Sequence, residues 1–397
     1  MKFIENHMEY YSSITEWPSN SNVEKWFSRL VQTNREILKE SLSLNYHIGI
    51  ELIRKIPRLR TFFSPSSYKD FDSVFWFGAF NVLGLALNHA LFGNKVDLEI
   101  IKEYFDRQLD NNQNWTSPLT RVDHFMKGYS LIYLDNILGN HQYEFAIRNL
   151  YNHLAREIPR LENGIYCYFK DNAILVDTLG MICPFLARYG KYYSDTEAKG
   201  QSVNQLLDYV RNNVDNETHL PFHAYYPEGP RKLGSLGWGR GTAWYLLGIV
   251  DTLAELETRD EGYEELCSAF TSTVKTLETY QKSDGNWSWS ILLKNDHIDS
   301  STTSMLGYCL ARGIQIGVID NSFIPILNKA ITALEKSTLK RNGWINHGLM
   351  DCAGIGKYPQ AYGPQPWLQG ISLSFAAAYL KLLGQHDQSE KIMNQSS

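Results

Sequence analysis

Apolar residues recur along this chain at spacings of three and four, and the stretches that show the pattern are of two kinds. Six are apolar on nearly every side: about 72–92, 119–137, 173–189, 239–256, 300–315 and 367–384. Six others pair an apolar stripe with a solvated face: about 22–40, 96–108, 142–157, 195–212, 262–281 and 323–337. The 3.6-residue period predicts helices; an all-round apolar helix is buried, whereas a striped one keeps a face in water. The two kinds alternate, which predicts an inner ring of six buried helices inside an outer ring of six half-exposed ones, an all-α (α/α)6 toroid. A helical bundle or solenoid shares the same periods. The toroid is favoured because the long, aromatic and Gly-rich loops enter the apolar helices and would gather on one face.

Local punctuation fits helices throughout. Ser21-Asn-Val-Glu24 and Ser194-Asp-Thr-Glu197 read as capping boxes, and Ser117-Pro118 reads as a cap and first-turn proline opening the helix of 119–137. Strand-like alternation is confined to NGIYCYFK (163–170) and DGNWSWSI (284–291), small hairpin strands at most. No linker or charge block divides the chain, so residues 22–397 are expected to form one domain behind an N-terminal arm of residues 1–21.

Composition narrows the function. Apolar residues make up 43% and charged residues 20% of the 397, which is globular usage. With 38 basic against 43 acidic residues there is no positive excess for phosphate neutralisation, so a nucleic-acid partner is not expected. Residues 73–94 carry no formal charge and could span a bilayer by length, but the stretch stands alone and holds Asn81, Asn88 and His89, so it reads as a buried soluble helix, with no membrane partner. Five scattered cysteines imply reduced thiols, and Glu5 and Glu9 interrupt any secretory h-region; a cytoplasmic location is expected. Aromatic residues reach 13%, with 10 Trp and 24 Tyr, a supply suited to a sugar-binding cleft as well as to a core.

Three segments could carry chemistry. Asp177 lies within AILVDTLGMICPF, and Asp123 lies one inner helix earlier, in RVDHFMKGY. Burial raises a carboxyl pKa, and two carboxyls facing one axial cleft cannot both ionise easily, so one of them would hold a proton near neutral pH. Each also has a structural reading, a buried hydrogen-bonding acid for Asp177 and an ion pair with Arg121 for Asp123. The segment Trp238-Gly-Arg240-Gly-Thr-Ala-Trp244 puts glycines beside rings and a guanidinium able to clamp a carboxylate; alternatively, both tryptophans are core and Arg240 holds a neighbouring element. Metal and nucleotide cofactors find no support in spacing, apart from a loose metal-ligand possibility at His347 and Cys352. His219 and His223 are separated by Pro221, and Gly354-Ile-Gly356-Lys357 lacks the P-loop's length and its following Ser/Thr.

Four segments in order, ILVDTLGMICPFLARYGK, WGRGTAWYLLGIVDTLAELE, YQKSDGNWSWSI with DSSTTSMLGYCLARGI, and DCAGIG with PWLQGISLSFAAAYLKL, resemble the unsaturated uronyl hydrolases of glycoside hydrolase families 105 and 88. The resemblance spans roughly residues 70–385. It implies an (α/α)6 toroid and an oligosaccharide substrate ending in a 4,5-unsaturated uronic acid, left by a polysaccharide lyase. An aspartic acid would protonate C4 and help water add at C5; the hemiketal then opens and the aglycone leaves. By the same resemblance Asp177 is the acid/base and Asp123 the second active-site aspartate. His223, Trp238, Arg240 and Trp244 match sugar-binding positions. Tyr166 stands where a histidine is common and Ala173 and Leu175 where Gln and Trp are common, changes that fall in the substrate pocket; His124 is expected there as well. Two other functions fit the residues: an inverting glycosidase of saturated sugars drawing its carboxylates from Asp177, Asp123, Asp299 and Asp351, or a non-catalytic sugar-binding toroid.

Overall fold

A computed structural model describes residues 21–41, 76–169, 172–228 and 231–395. The expected N-terminal arm lies outside the described residues, except that Ser21 already belongs to the first helix. Twelve α-helices are present among the described residues. They are α1 (Ser21–Ser41), α2 (Trp76–Phe92), α3 (Lys95–Asp106), α4 (Gly128–Leu138), α5 (Glu144–Glu157), α6 (Val176–Tyr193), α7 (Thr196–Asn213), α8 (Gly239–Leu253), α9 (Tyr263–Tyr280), α10 (Ser300–Gln315), α11 (Ile324–Lys336) and α12 (Pro366–Gln395). The even-numbered helices form the inner ring, each packed on the next, and α12 returns to pack on α2 and close it. The odd-numbered helices lie outside: α1 and α3 on α2, α5 on α4, α7 on α6, α9 on α8, and α11 on α10. This is the (α/α)6 toroid. Its main hydrophobic core is a cluster running between and inside the rings, and a small second cluster holds Ala173, Leu175 and Ala224.

Burial follows the sequence pattern. Every residue of α8 is buried, whereas α5 buries only Ala146, Ile147, Leu150 and Leu154, at helical spacing. The uncharged stretch near residue 80 is α2, an inner helix, and no helix among the described residues is long and apolar enough to cross a membrane.

Three local expectations change. At the α6–α7 junction Ser194 is the left-handed residue that ends α6, and Asp195 caps α7 by accepting from the Ala198 N–H. No helix begins at Ser117-Pro118. Instead His124 Nδ1 accepts the Thr120 and Arg121 backbone N–H groups, closing a separate 3-10 turn over Val122–His124, and the inner helix starts only at Gly128. The expected hairpin segments contribute isolated bridges, Arg160 with Tyr166 and Ser288 with Ile298. The true strands are shorter and lie elsewhere: β1 (Ile174–Leu175), β2 (Ala224–Tyr226) and β3 (Arg231–Leu233) in one antiparallel sheet, and β4 (Gly348–Leu349) with β5 (Tyr362–Gly363) in another.

Ring closure depends on two glycines. A Cβ on Gly84 of α2 would stand 2.7 Å from the Gly370 carbonyl oxygen, and one on Gly370 of α12 would stand 2.4 Å from the Asn81 backbone nitrogen. Backbone cannot move aside as a flexible side chain can. Gly370→Ala is therefore expected to cost about 3 kcal/mol, the upper end for overpacking, read as a shift of the denaturation midpoint. An unchanged midpoint would show that the seam gives way freely.

Candidate active site

The N-terminal ends of the inner helices open on one face, and the residues with chemistry collect there. Asp177 is in the first turn of α6. The small sheet places His223 beside it: Leu175 pairs with Ala224, and the Val176 N–H donates to the His223 carbonyl. His223 Nε2 then lies 3.4 Å from Asp177 Oδ2, both atoms buried and neither with a well-aligned hydrogen bond among the described residues. The other side of the imidazole is fixed. The Ser235 N–H donates to the Tyr358 hydroxyl, which leaves the phenolic proton for His223 Nδ1 at 2.9 Å, and the Gly356 N–H also points at Nδ1 from 3.4 Å. An Nδ1 that accepts puts the ring proton on Nε2, directed at Asp177.

Asp123 projects from its 3-10 turn, almost wholly buried, with Oδ2 held by Arg121 at 2.6 Å and Oδ1 without a hydrogen-bond partner among the described residues. Burial pushes its pKa up to about 6, with a smaller push from Asp351, against the pull of Arg121. Tyr168 links the two aspartates. Its hydroxyl, hydrogen-bonded with Arg121, is held far above the usual phenol range, by burial first and then by the charges of Asp123 and Asp177.

Arg240, in the first turn of α8, is buried between the rings of Trp238 and Trp367, 5.1 Å from each centroid. It donates to the Leu349 and Met350 carbonyls at 2.9 Å and to Ser301 at 3.4 Å, and comes within 3.8 Å of Asp351. These bonds anchor the 348–351 segment and occupy donors that were expected to clamp a substrate carboxylate. Asp351, half of whose side chain stays open to solvent, is held above the ordinary carboxylate range by the protein packed around it and by Asp177, against Arg240.

The other expected residues divide. Trp238 packs against His223 at 4.6 Å and Tyr358 at 5.1 Å, so it backs the imidazole; its indole N–H has no partner among the described residues. Trp244 is one turn deeper, stacked on Phe80 at 5.1 Å and edge-on to Trp76 at 5.6 Å. It is core, not a sugar platform. Tyr166 is wholly buried and faces outward, its backbone N–H on Gln205 and its hydroxyl on Gln201 of α7. His124 serves the turn that presents Asp123, and burial, with Lys127 and Arg121, lowers its pKa to about 3. Asp299 is a helix cap, occupied by Ser301, Thr302 and the Leu349 N–H. Sequence reasoning missed Tyr168 and Tyr358, and it noted Cys352 only as a loose metal-ligand possibility. Tyr358 follows the failed phosphate-loop pattern at Gly354–Lys357 and showed no signal of its own.

The raised Asp123 pKa has a stability consequence. An acid that titrates at about 6 when folded but near 3.8 when unfolded favours the folded state below pH 4 and loses that advantage as pH rises through 6. Asp123→Asn keeps an oxygen for Arg121 and removes the buried charge. It should stabilise the protein by about 1–3 kcal/mol at pH 7.5, with the gain vanishing toward pH 4. Thermal melts at both pH values check this; equal gains at the two would contradict it.

A toroid whose cleft gathers carboxylates beside a histidine and aromatic rings is the architecture of a helical-ring glycoside hydrolase. The chain belongs to Glycosyl Hydrolase Family 88, whose model matches residues 63–383. It is similar in fold to a possible family 105 member from Salmonella enterica (TM-score 0.71, 19% identity, 77% of this chain and 83% of that one). It is likewise similar to a family 105 glycoside hydrolase from C. acetobutylicum (TM-score 0.71, 20% identity, 78% and 94%). A third similar structure is an unsaturated glucuronyl hydrolase from Bacillus sp. GL1, responsible for the degradation of glycosaminoglycan (TM-score 0.64, 17% identity, 88% and 96%).

Proposed function

We propose that this glycoside hydrolase removes a 4,5-unsaturated uronic acid from lyase-generated oligosaccharides by hydrating the enol ether. The observation that carries the reading is the Asp177 carboxylate. Its Oδ2 is buried at the end of an inner helix with no hydrogen-bond partner among the described residues, and an imidazole nitrogen faces it from 3.4 Å. Asp177 delivers a proton to C4, the positive charge that develops at C5 draws in water, and the water's proton returns to Asp177. The C5 hemiketal then opens and the aglycone leaves. The His223 N–H steadies the Asp177 carboxylate between the two transfers, and Asp123 with Tyr168 accepts and orients the water. The rings of Trp289 and Tyr358, 5.6 Å apart, offer the sugar a wall. The five scattered cysteines fit a reducing compartment, and we place the reaction in the cytoplasm. The test is a panel of lyase-generated disaccharides of galacturonate and glucuronate type, followed by loss of the ultraviolet absorbance of the conjugated enol. Product from a saturated glycoside, with no activity on the panel, would point to ordinary glycosidase chemistry instead.

A further inference from the structure

The mechanism leaves one reactive side chain of the cleft without a task. Cys352, partly buried on the segment that Arg240 anchors, brings its thiol to the point where Asp177 and His223 meet. An Asp177 carboxylate oxygen, a His223 ring nitrogen and Cys352 Sγ all lie within 4.8 Å of one another. Two of these side chains are nine-tenths or more buried and carry polar atoms with no hydrogen-bond partner among the described residues, Asp177 Oδ2 and His223 Nε2, which lie 3.4 Å apart. Neighbouring ligand atoms on a tetrahedral ion with bonds of about 2.0–2.3 Å stand about 3.3–3.8 Å apart. The 3.4 Å between His223 and Asp177 already meets that spacing, and the thiol needs a shift of about 1 Å, within reach of one χ1 adjustment.

We propose that Asp177, His223 and Cys352 form a three-ligand site for a thiophilic divalent cation, zinc in particular, which holds the enzyme inactive while bound. The donor set decides the ion class. One sulfur and one imidazole nitrogen suit zinc and cobalt and do not suit magnesium or calcium, which take oxygen ligands. Three protein ligands leave a fourth position open to water at the cleft. Burial first, and then the charges of Asp177 and Asp351, hold the Cys352 thiol well above its ordinary pKa in the metal-free protein, and those two carboxylates make a field that favours a cation. Arg240 opposes, but its donors are committed to Leu349 and Met350, and Asp351 offsets its charge. A bound ion takes the carboxylate oxygen and the Nε2 lone pair; the thiol proton leaves to solvent, and the imidazole proton moves to Nδ1, where the Tyr358 hydroxyl oxygen accepts its hydrogen bond.

Inhibition rests on the proposed role of Asp177; binding does not, and the experiment separates the two. The metal-free full-length chain is titrated with cobalt(II) and read for the near-ultraviolet band of thiolate–cobalt charge transfer, at a stoichiometry of about one. Cys352→Ser should abolish the band, whereas Cys267→Ser, which alters the other partly exposed thiol, should leave it. Each variant's turnover of unsaturated disaccharide is then compared, with and without zinc, to its own metal-free rate. Zinc should suppress the unaltered chain at least tenfold, reversibly by chelator, and Cys352→Ser should need at least tenfold more zinc for the same effect. No thiolate band, or a band that survives in Cys352→Ser, overturns the site. A full band with undiminished turnover overturns the inhibition and with it the role given to Asp177. A panel without any turnover sinks the proposed reaction, and the cobalt spectrum still decides the site.

Discussion

Replacing Asp177 by asparagine is expected to lower turnover of a 4,5-unsaturated uronide by at least about 10²-fold, the lower bound for losing a general acid–base. The change is nearly isosteric in the first turn of α6, where Oδ2 has no hydrogen bond to lose, so the helical spectrum and thermal midpoint should hold. An amide can still face the His223 N–H through its oxygen, and substrate should still bind. What it cannot do is give a carboxyl proton to C4 or take one back from the water that adds at C5. The loss should therefore fall on kcat and leave KM close to its original value. In heavy water the unaltered enzyme's product should carry deuterium at C4, because a carboxyl proton exchanges with solvent. Near-original turnover by the variant, or product without C4 deuterium, would sink the mechanism.

The ring was legible in the sequence because burial of a whole helix and burial of one stripe leave different signatures over 15 residues. Alternation of those signatures is a topological statement that needs no long-range contact. Local chemistry was less reliable where a side chain competed with the backbone. The Ser117-Pro118 signal is genuine helix-start vocabulary, yet His124 takes the backbone N–H groups and turns the chain first, which is what aims Asp123 into the cleft. The cleft itself was legible only in part. Asp177, Asp123 and His223 were marked by composition or by resemblance, but Tyr358 reaches His223 across 135 residues and Cys352 meets Asp177 through a loop pinned by Arg240. Nothing local encodes such meetings. Arg240 shows the limit from the other side: a buried guanidinium between two indoles reads the same in sequence whether it holds a ligand or a neighbouring loop.

The same ambiguity, resolved at Trp244, yields the largest expected stability effect. Trp244 looked like a sugar platform because glycines and Arg240 precede it, but it is 1% exposed and sits where three inner helices meet. Its ring stacks on Phe80 of α2 and stands edge-on to Trp76, and α6 approaches so closely that a Cβ on Gly180 would lie 2.4 Å from the indole. Trp244→Ala removes that ring from a packed centre and leaves a cavity the helices cannot fill without breaking their own contacts. A loss of about 3–5 kcal/mol is expected, seen as a fall of at least about 5 °C in the thermal midpoint. Trp244→Phe, which keeps a stacking face toward Phe80, should lose clearly less. At a temperature where the alanine variant stays folded, KM should change little, since the indole does not reach the cleft. An alanine variant of unaltered stability whose KM rises tenfold or more would return Trp244 to the substrate and overturn its assignment to the core.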